Sequence, residues 1–419
     1  MALHWIAAIP PLLIRTTRSA IPAIAALCVM MAHLGILEKK FDLVVSGINP
    51  GANVGRSVYH SGTIGATGAS SQTAAQEAWV ANFQTANPDV TVNYEPTGSG
   101  TGRENFIAGA SNFIGSDRAF KLEEIEENTF AACADGGSAG IVEIPVYISP
   151  VAIAFNLEGI ESLNMTADVI AGIFSGQIKL WNDAKIKKLN PGVTGLPAKK
   201  IQVVGRSDSS GTTYVFTSYL GKAAAAAQKN CGMQSNFAAG EANFNDAAGT
   251  FAPTKAAPGT YFAGIRTANG ADPIVGKAGN GGIAPFVKAT NLTISYVEWS
   301  YAKKYALSTA AIRTKSKNAA GAYAYLKPSA AGTVAALAKA AATEDPINPS
   351  AAFVQPVYAN GTTSYPIVGV FQGCLYTPTG GYPTYSPFWP GAAATTAIGY
   401  VIEDPNALFL VASSQTPIV

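Results

Sequence analysis

Apolar residues recur along this chain at two spacings, and from Gly65 onward the two alternate. After a turn at Gly68, the residues Ala75, Trp79, Val80 and Phe83 fall at helical spacing until Asn87-Pro88 stops the run. Val90 to Tyr94 alternates as a strand. Gly98-Ser99-Gly100-Thr101-Gly102 then reads as a glycine-rich loop, and a short helix is expected from Arg103. Asn112 to Ile114 predicts another strand, ending at Gly115-Ser116-Asp117. Val142 to Phe155 is apolar and rich in β-branched residues, the composition of a strand buried on both faces and suited to cross between two domains. Ile201 to Val204 repeats the strand, and the loop Gly205 to Gly211 precedes a helix whose apolar face is Val215, Phe216, Tyr219 and Leu220. Strand, loop and helix in repetition predict an α/β fold.

Elsewhere the pattern is weaker. Ala223 to Gly279 is rich in Ala, Gly and Asn and reads as loops with short helices. Ile294 to Trp299 predicts a strand, and Ala319 to Ala342 predicts helices interrupted by Pro328. Pro, Gly and Tyr crowd the stretch from Pro378 to Pro390, so residues 376–419 are expected to form an irregular tail. Before Thr63 the composition changes: Arg15 and Arg18 precede the apolar run Ile21 to Ile36, which has the length of a signal h-region and falls short of a membrane span. A buried core element is the competing reading of that run.

Of the 419 residues 13% are charged, and the formal net charge is +2. No overall field exists to hold nucleic acid or an anionic membrane, and nucleic acid is excluded as a partner. Three histidines and four dispersed cysteines (Cys28, Cys133, Cys231, Cys374) lack the close spacing of zinc ligands, so no metal and no cofactor are expected. In an exported chain the cysteines form up to two disulfides; otherwise they are buried thiols.

The chemistry concentrates in three loops that lead from a strand into a helix: Ala69-Ser70-Ser71, Gly98-Ser99-Gly100 and Ser209-Ser210-Gly211-Thr212. A helix N-terminus offers unpaired N–H groups and a positive dipole end, glycine allows close approach, and hydroxyls add donors. Any one of these loops is also an ordinary N-cap. Two charges make the set more telling. Arg206 opens the third loop and can hold an oxyanion through two N–H groups, with Asp208 orienting it. Asp117 ends a strand, where an Asx turn is its plain alternative. A carboxylate facing an anion repels it unless the anion still carries a proton to donate. Phosphate keeps one near neutral pH and sulfate keeps none, so a dry aspartate favours phosphate; two buried acceptors in apposition cost roughly 1 to 3 kcal/mol.

The segments Gly65 to Ser71, Tyr94 to Arg103, Phe113 to Asp117, Ile173 to Asp183 and Gly205 to Thr213 resemble the phosphate-binding proteins of bacterial ABC importers, and Ile294 to Ala302 resembles that family's returning hinge strand. The resemblance runs in order from about Gly65 to Val370. It implies a bilobed, type II periplasmic-binding-protein fold, a Venus flytrap with a two-strand hinge, closing over one phosphate. Lobe I is expected to be residues 64–152 with 295–375, and lobe II residues 153–294. By the resemblance, Ser70, the Ser71 backbone, Ser99 and Asp117 bind phosphate from one lobe; Arg206, Ser210, Gly211 and Thr212 bind it from the other. It further implies an extracytoplasmic monomer that delivers inorganic phosphate to an ABC importer permease and catalyses no reaction.

The first 63 residues resemble something else. Phe41 to Gly55, followed by Tyr59-His60-Ser61-Gly62-Thr63, is similar to the middle of the stationary-phase survival nucleotidase family, which acts on nucleoside monophosphates with a metal. In that family the counterpart of Asn49 is a metal ligand, but the aspartates that share the metal precede this fragment and have no match here. A turn is the plain reading of Asn49 and Gly51. The chain reads as a fusion joined near Ser61 to Ala66. A metal-dependent phosphohydrolase, a receptor for another oxyanion and a non-functional fusion product are the alternatives.

Overall fold

The computed structural model describes residues 63–88, 90–117, 120, 124, 127–131, 141–223, 266–344 and 352–376. In chain order the elements are β1 (Thr63–Gly68), α1 (Thr73–Ala86), β2 (Thr91–Glu95), α2 (Ser99–Ile107), β3 (Phe113–Ser116), β4 (Ile141–Asn156), β5 (Asn164–Met165), α3 (Ala167–Phe174), α4 (Ala184–Leu189), β6 (Gln202–Arg206) and α5 (Gly211–Ala223). There follow β7 (Val275–Lys277), α6 (Gly279–Ala289), β8 (Thr293–Glu298), α7 (Trp299–Lys304), β9 (Ser308–Thr309), β10 (Ala311–Lys317), β11 (Tyr323–Leu326), α8 (Ala330–Leu337), β12 (Ala341–Glu344), β13 (Ala352–Gln355) and β14 (Val368–Tyr376). The expected irregular tail, the N-terminal fragment with Asn49, and Cys28, Cys133 and Cys231 lie outside the described residues.

The long apolar run does become one strand, and it changes partners midway. The main sheet has the order β2-β1-β3-β14-β4-β8-β6-β7. β4 pairs with β14 as far as Pro150, opposite Val368, and with β8 from Val151, opposite Glu298. Proline has no N–H to donate, so it fits where the ladder switches; Val151 N–H resumes bonding at once, to Ile367 O at 2.8 Å. β1 runs parallel to β2 and β3, and β6 runs parallel to β7 and β8. The carboxyl ends of these two parallel sets carry the loops that matter below, as is usual for open α/β sheets.

From Val151 onward β4 is buried on both faces. One face joins Ile153 and Phe155 to Phe174, Trp181, Phe216 and Tyr296, with Phe216 stacked on Tyr296 at 4.4 Å between ring centres. The same core takes in Ile312, Ala336, Tyr365 and Ile367, and Tyr365 donates its hydroxyl to Val151 O at 3.0 Å. Ala152 and Ala154 point the other way, where they pack against Ile283, Ala284 and Val287 of α6. Burying each large apolar side chain contributes roughly 1.5 to 3 kcal/mol. On α5, Val215, Phe216, Tyr219 and Leu220 are all buried, which matches the face predicted for that helix.

Three local expectations are corrected. α2 begins at Ser99, four residues before Arg103, because Gly98 adopts φ 100° and turns the chain into the helix at once. The stretch before Pro328 is the strand β11, paired with β10, and only α8 beyond it is helical. The predicted apolar face of α1 is not sealed: Trp79 and Val80 are half-buried and Phe83 is 43% exposed, while the buried residue of that helix is the polar Gln76.

Candidate anion-binding site

All eight residues singled out in the sequence converge between the carboxyl ends of β1, β2 and β3 and those of β6, β7 and β8. Ser70, Ser71, Ser99, Asp117, Arg206, Ser210 and Thr212 are each at most 4% exposed. The walls already touch: Gly100 N–H donates to Ser209 O at 3.1 Å, and Thr212 Oγ1 donates to Asp117 Oδ2 at 2.9 Å. Gly211 is required for this approach, since a Cβ there would lie 2.5 Å from Ser99 Oγ and would also collide with the Asp117 side chain.

On the β1–β3 wall, Asp117 is an acceptor ringed by donors. Ser71 Oγ donates to Asp117 Oδ1, and Asp117 N–H donates to Ser99 Oγ at 3.2 Å. Burial pushes its carboxyl up to about 6, against the pull of the Ser71 and Thr212 hydroxyls and of the Arg206 and Arg103 guanidinium groups. On the opposite wall, Arg206 Nε donates to Asp208 Oδ1 at 2.7 Å, and Nη2 meets Oδ2 in a second, parallel contact. Burial works against the Arg206 charge, yet the Asp208 carboxylate more than offsets it and holds the guanidinium above its ordinary range. Burial would likewise raise Asp208; Arg206 and the Gly279 N–H, 2.9 Å away, keep it below its ordinary range. Ser210 Oγ caps α5 by accepting from Thr213 N–H at 3.1 Å.

Three buried polar atoms around these loops have no hydrogen-bond partner among the described residues: Arg206 Nη1, Thr97 Oγ1 and Ser209 Oγ. An unmatched guanidinium N–H is expensive in a dry site, and an oxyanion is its natural complement.

Other contributors were not foreseen. Asn280, at the start of α6, is fully buried and bonds Ser70, Thr212 and Glu298. Its signal was a fourth glycine-rich turn from strand to helix, Gly279-Asn280-Gly281-Gly282, in a stretch whose low hydrophobicity masked it. Arg103 supplies a buried cation beneath Asp117, its Nη1 donating to Ser116 Oγ at 2.7 Å and its Nε lying 3.4 Å from Glu124. Tyr296 supports Arg206 by accepting its N–H at 3.3 Å. Among the described residues no cluster of His, Cys, Asp or Glu has the makings of a metal site, and no helix is long and apolar enough to cross a membrane.

The PBP superfamily domain matches residues 58–401. The chain belongs to that superfamily. Its bilobed α/β architecture, hinged where β4 passes from β14 to β8, is the type II binding-protein fold. The chain is 33% identical over 60% of its length to "Phosphate-binding protein PstS 3" of Mycobacterium leprae, and 30% identical over 69% to "Phosphate-binding protein PstS" of Methanocaldococcus jannaschii. These matches span 58% and 66% of the two relatives' lengths. Among solved structures, a DING protein superposes with a TM-score of 0.52 at 21% identity, over 80% of this chain and 84% of that one. A high-affinity periplasmic phosphate-binding protein bound with phosphate gives 0.51 at 20%, over 75% and 80%; both similarities concern the fold. Survival protein SurE matches residues 14–79, overlapping the start of the superfamily match.

Proposed function

We propose that the chain is the receptor of a phosphate ABC importer, closing its two lobes over one inorganic phosphate and releasing it unchanged to the permease. The observation that carries this reading is the pairing of a buried, unmatched Arg206 Nη1 with a buried carboxylate in the same cleft. The first asks for an oxyanion, and the second asks that the oxyanion bring a proton. Ser70, the Ser71 backbone, Ser99 and Asp117 hold the ligand from one lobe, and Arg206, Ser210, Gly211 and Thr212 hold it from the other. In this reading the chain passes between lobes at Pro150 on β4 and again at Ile367–Val368, where β14 begins, rather than at Ile294 to Ala302 as the resemblance implied. β8 pairs only with the second half of β4 and with β6, and Ile312, Ala336 and Ile367 share the core of Ile153 and Phe216, so the described residues from 295 to 367 go with lobe II. It works as a monomer outside the cytoplasm and without a cofactor. Calorimetric titration of the full chain with phosphate and then with sulfate tests this reading: phosphate heat with no sulfate heat supports it, and equal response to both refutes it.

A further inference from the structure

Asn280 makes an arrangement that a simple helix start does not need. Ser70 Oγ receives two N–H donors from it, the backbone N at 3.0 Å and Nδ2 at 3.1 Å. A hydroxyl oxygen has two lone pairs; with both engaged, its own proton points away from Asn280 as a donor. Nδ2 also lies 3.3 Å from Thr212 Oγ1, whose proton is committed to Asp117 Oδ2. The amide cannot turn over, because its Oδ1 accepts Glu298 N–H at 2.9 Å. Glu298 is in turn buried and fixed by the hydroxyls of Ser149 and Ser300.

Ser70 follows β1 and Asn280 opens α6, on opposite walls of the cleft. The bonds between them therefore exist only when the lobes are together.

We propose that Asn280 is a closure-dependent positioning residue, which makes the Ser70 hydroxyl an obligatory donor toward a ligand oxygen and so completes the anion site only in the closed state. This rests on the oxyanion reading above. Asn280 acts through Ser70, and its contribution belongs to retention of the ligand rather than to capture.

The test is a double-mutant cycle on the full chain with inorganic phosphate as probe, combining Asn280→Ala and Ser70→Ala, read by calorimetry and by stopped-flow dissociation. Asn280→Ala is expected to weaken phosphate binding about tenfold, the cost of one mis-set buried hydrogen bond, with the change in the dissociation rate and little in association. On the Ser70→Ala background the same substitution is expected to cost less than about twofold. An equal cost on both backgrounds overturns the role of Asn280 while leaving the oxyanion reading intact. An unmodified chain that binds no phosphate overturns both. Should Asn280→Ala fail to fold, Asn280→Ser carries the same cycle with the same two outcomes.

Discussion

Two aspartates on opposite walls of the cleft, Asp117 buried and Asp208 half-buried, live under opposite regimes. Asp208 has a cation of its own: a two-pronged contact with Arg206 and a backbone N–H from Gly279 keep it ionised below its ordinary range. Asp117 has hydroxyl donors in direct contact and cations farther off, and burial prevails, lifting it to about 6. The same side chain thus serves two ends. Fully compensated, it is a brace that aims a guanidinium; under-compensated, it is an acceptor held ready for a proton that a ligand brings. A protein that merely needed a stable cleft would not keep the second.

The contrast can be broken most severely at the brace. Arg206→Met leaves the half-buried Asp208 without its cation, and we expect phosphate affinity to fall about a thousandfold and stability by about 2 to 3 kcal/mol, less than for a fully buried pair, measured by calorimetry and thermal unfolding. Asp117→Asn sharpens the contrast with a change of opposite sign. Between its ordinary 3.8 and about 6, folded Asp117 holds a proton that the unfolded chain has lost, so the stability of the unliganded protein drops as pH rises through that window. The full penalty, about 3 kcal/mol, applies above pH 6. Asp117→Asn should therefore melt higher than the parent at pH 8 and hardly differently at pH 4, while losing its preference for phosphate over sulfate. Gly211→Ala drives a Cβ into Asp117 and Ser99 at closure; a loss of about tenfold to a hundredfold in phosphate affinity, with the melting temperature little changed, is expected by titration and scanning calorimetry. The smallest effect belongs to Ser210→Ala, which removes the α5 cap and should cost about 1 kcal/mol in denaturant unfolding.

What was legible in the sequence follows from where signal is local. Asp117, Arg206 and the hydroxyl loops announced themselves because strand, Gly/Ser loop and helix are contiguous in the chain. α5 was readable because Val215, Phe216, Tyr219 and Leu220 all face one core. The α1 pattern misled, since helical spacing of Trp79, Val80 and Phe83 says nothing of whether a partner covers them. Before Pro328, the alanine-rich composition suggested a helix, yet Tyr323–Leu326 is a strand because β10 offers an edge to pair with, and tertiary pairing overrides propensity. Asn280 left only a local trace, the glycine-rich turn that opens α6, and its contact with Ser70 was out of reach because the two lie 210 positions apart and nothing local to either reports it.

The most direct test of the account is a calorimetric comparison of the full chain and its Asp117→Asn variant, each titrated with phosphate and with sulfate at pH 8. The parent is expected to bind phosphate at micromolar or tighter affinity with no sulfate heat, and in the variant the gap between the two anions is expected to narrow at least about tenfold. A parent that binds sulfate as well as phosphate, or a variant whose selectivity is unchanged, would contradict it.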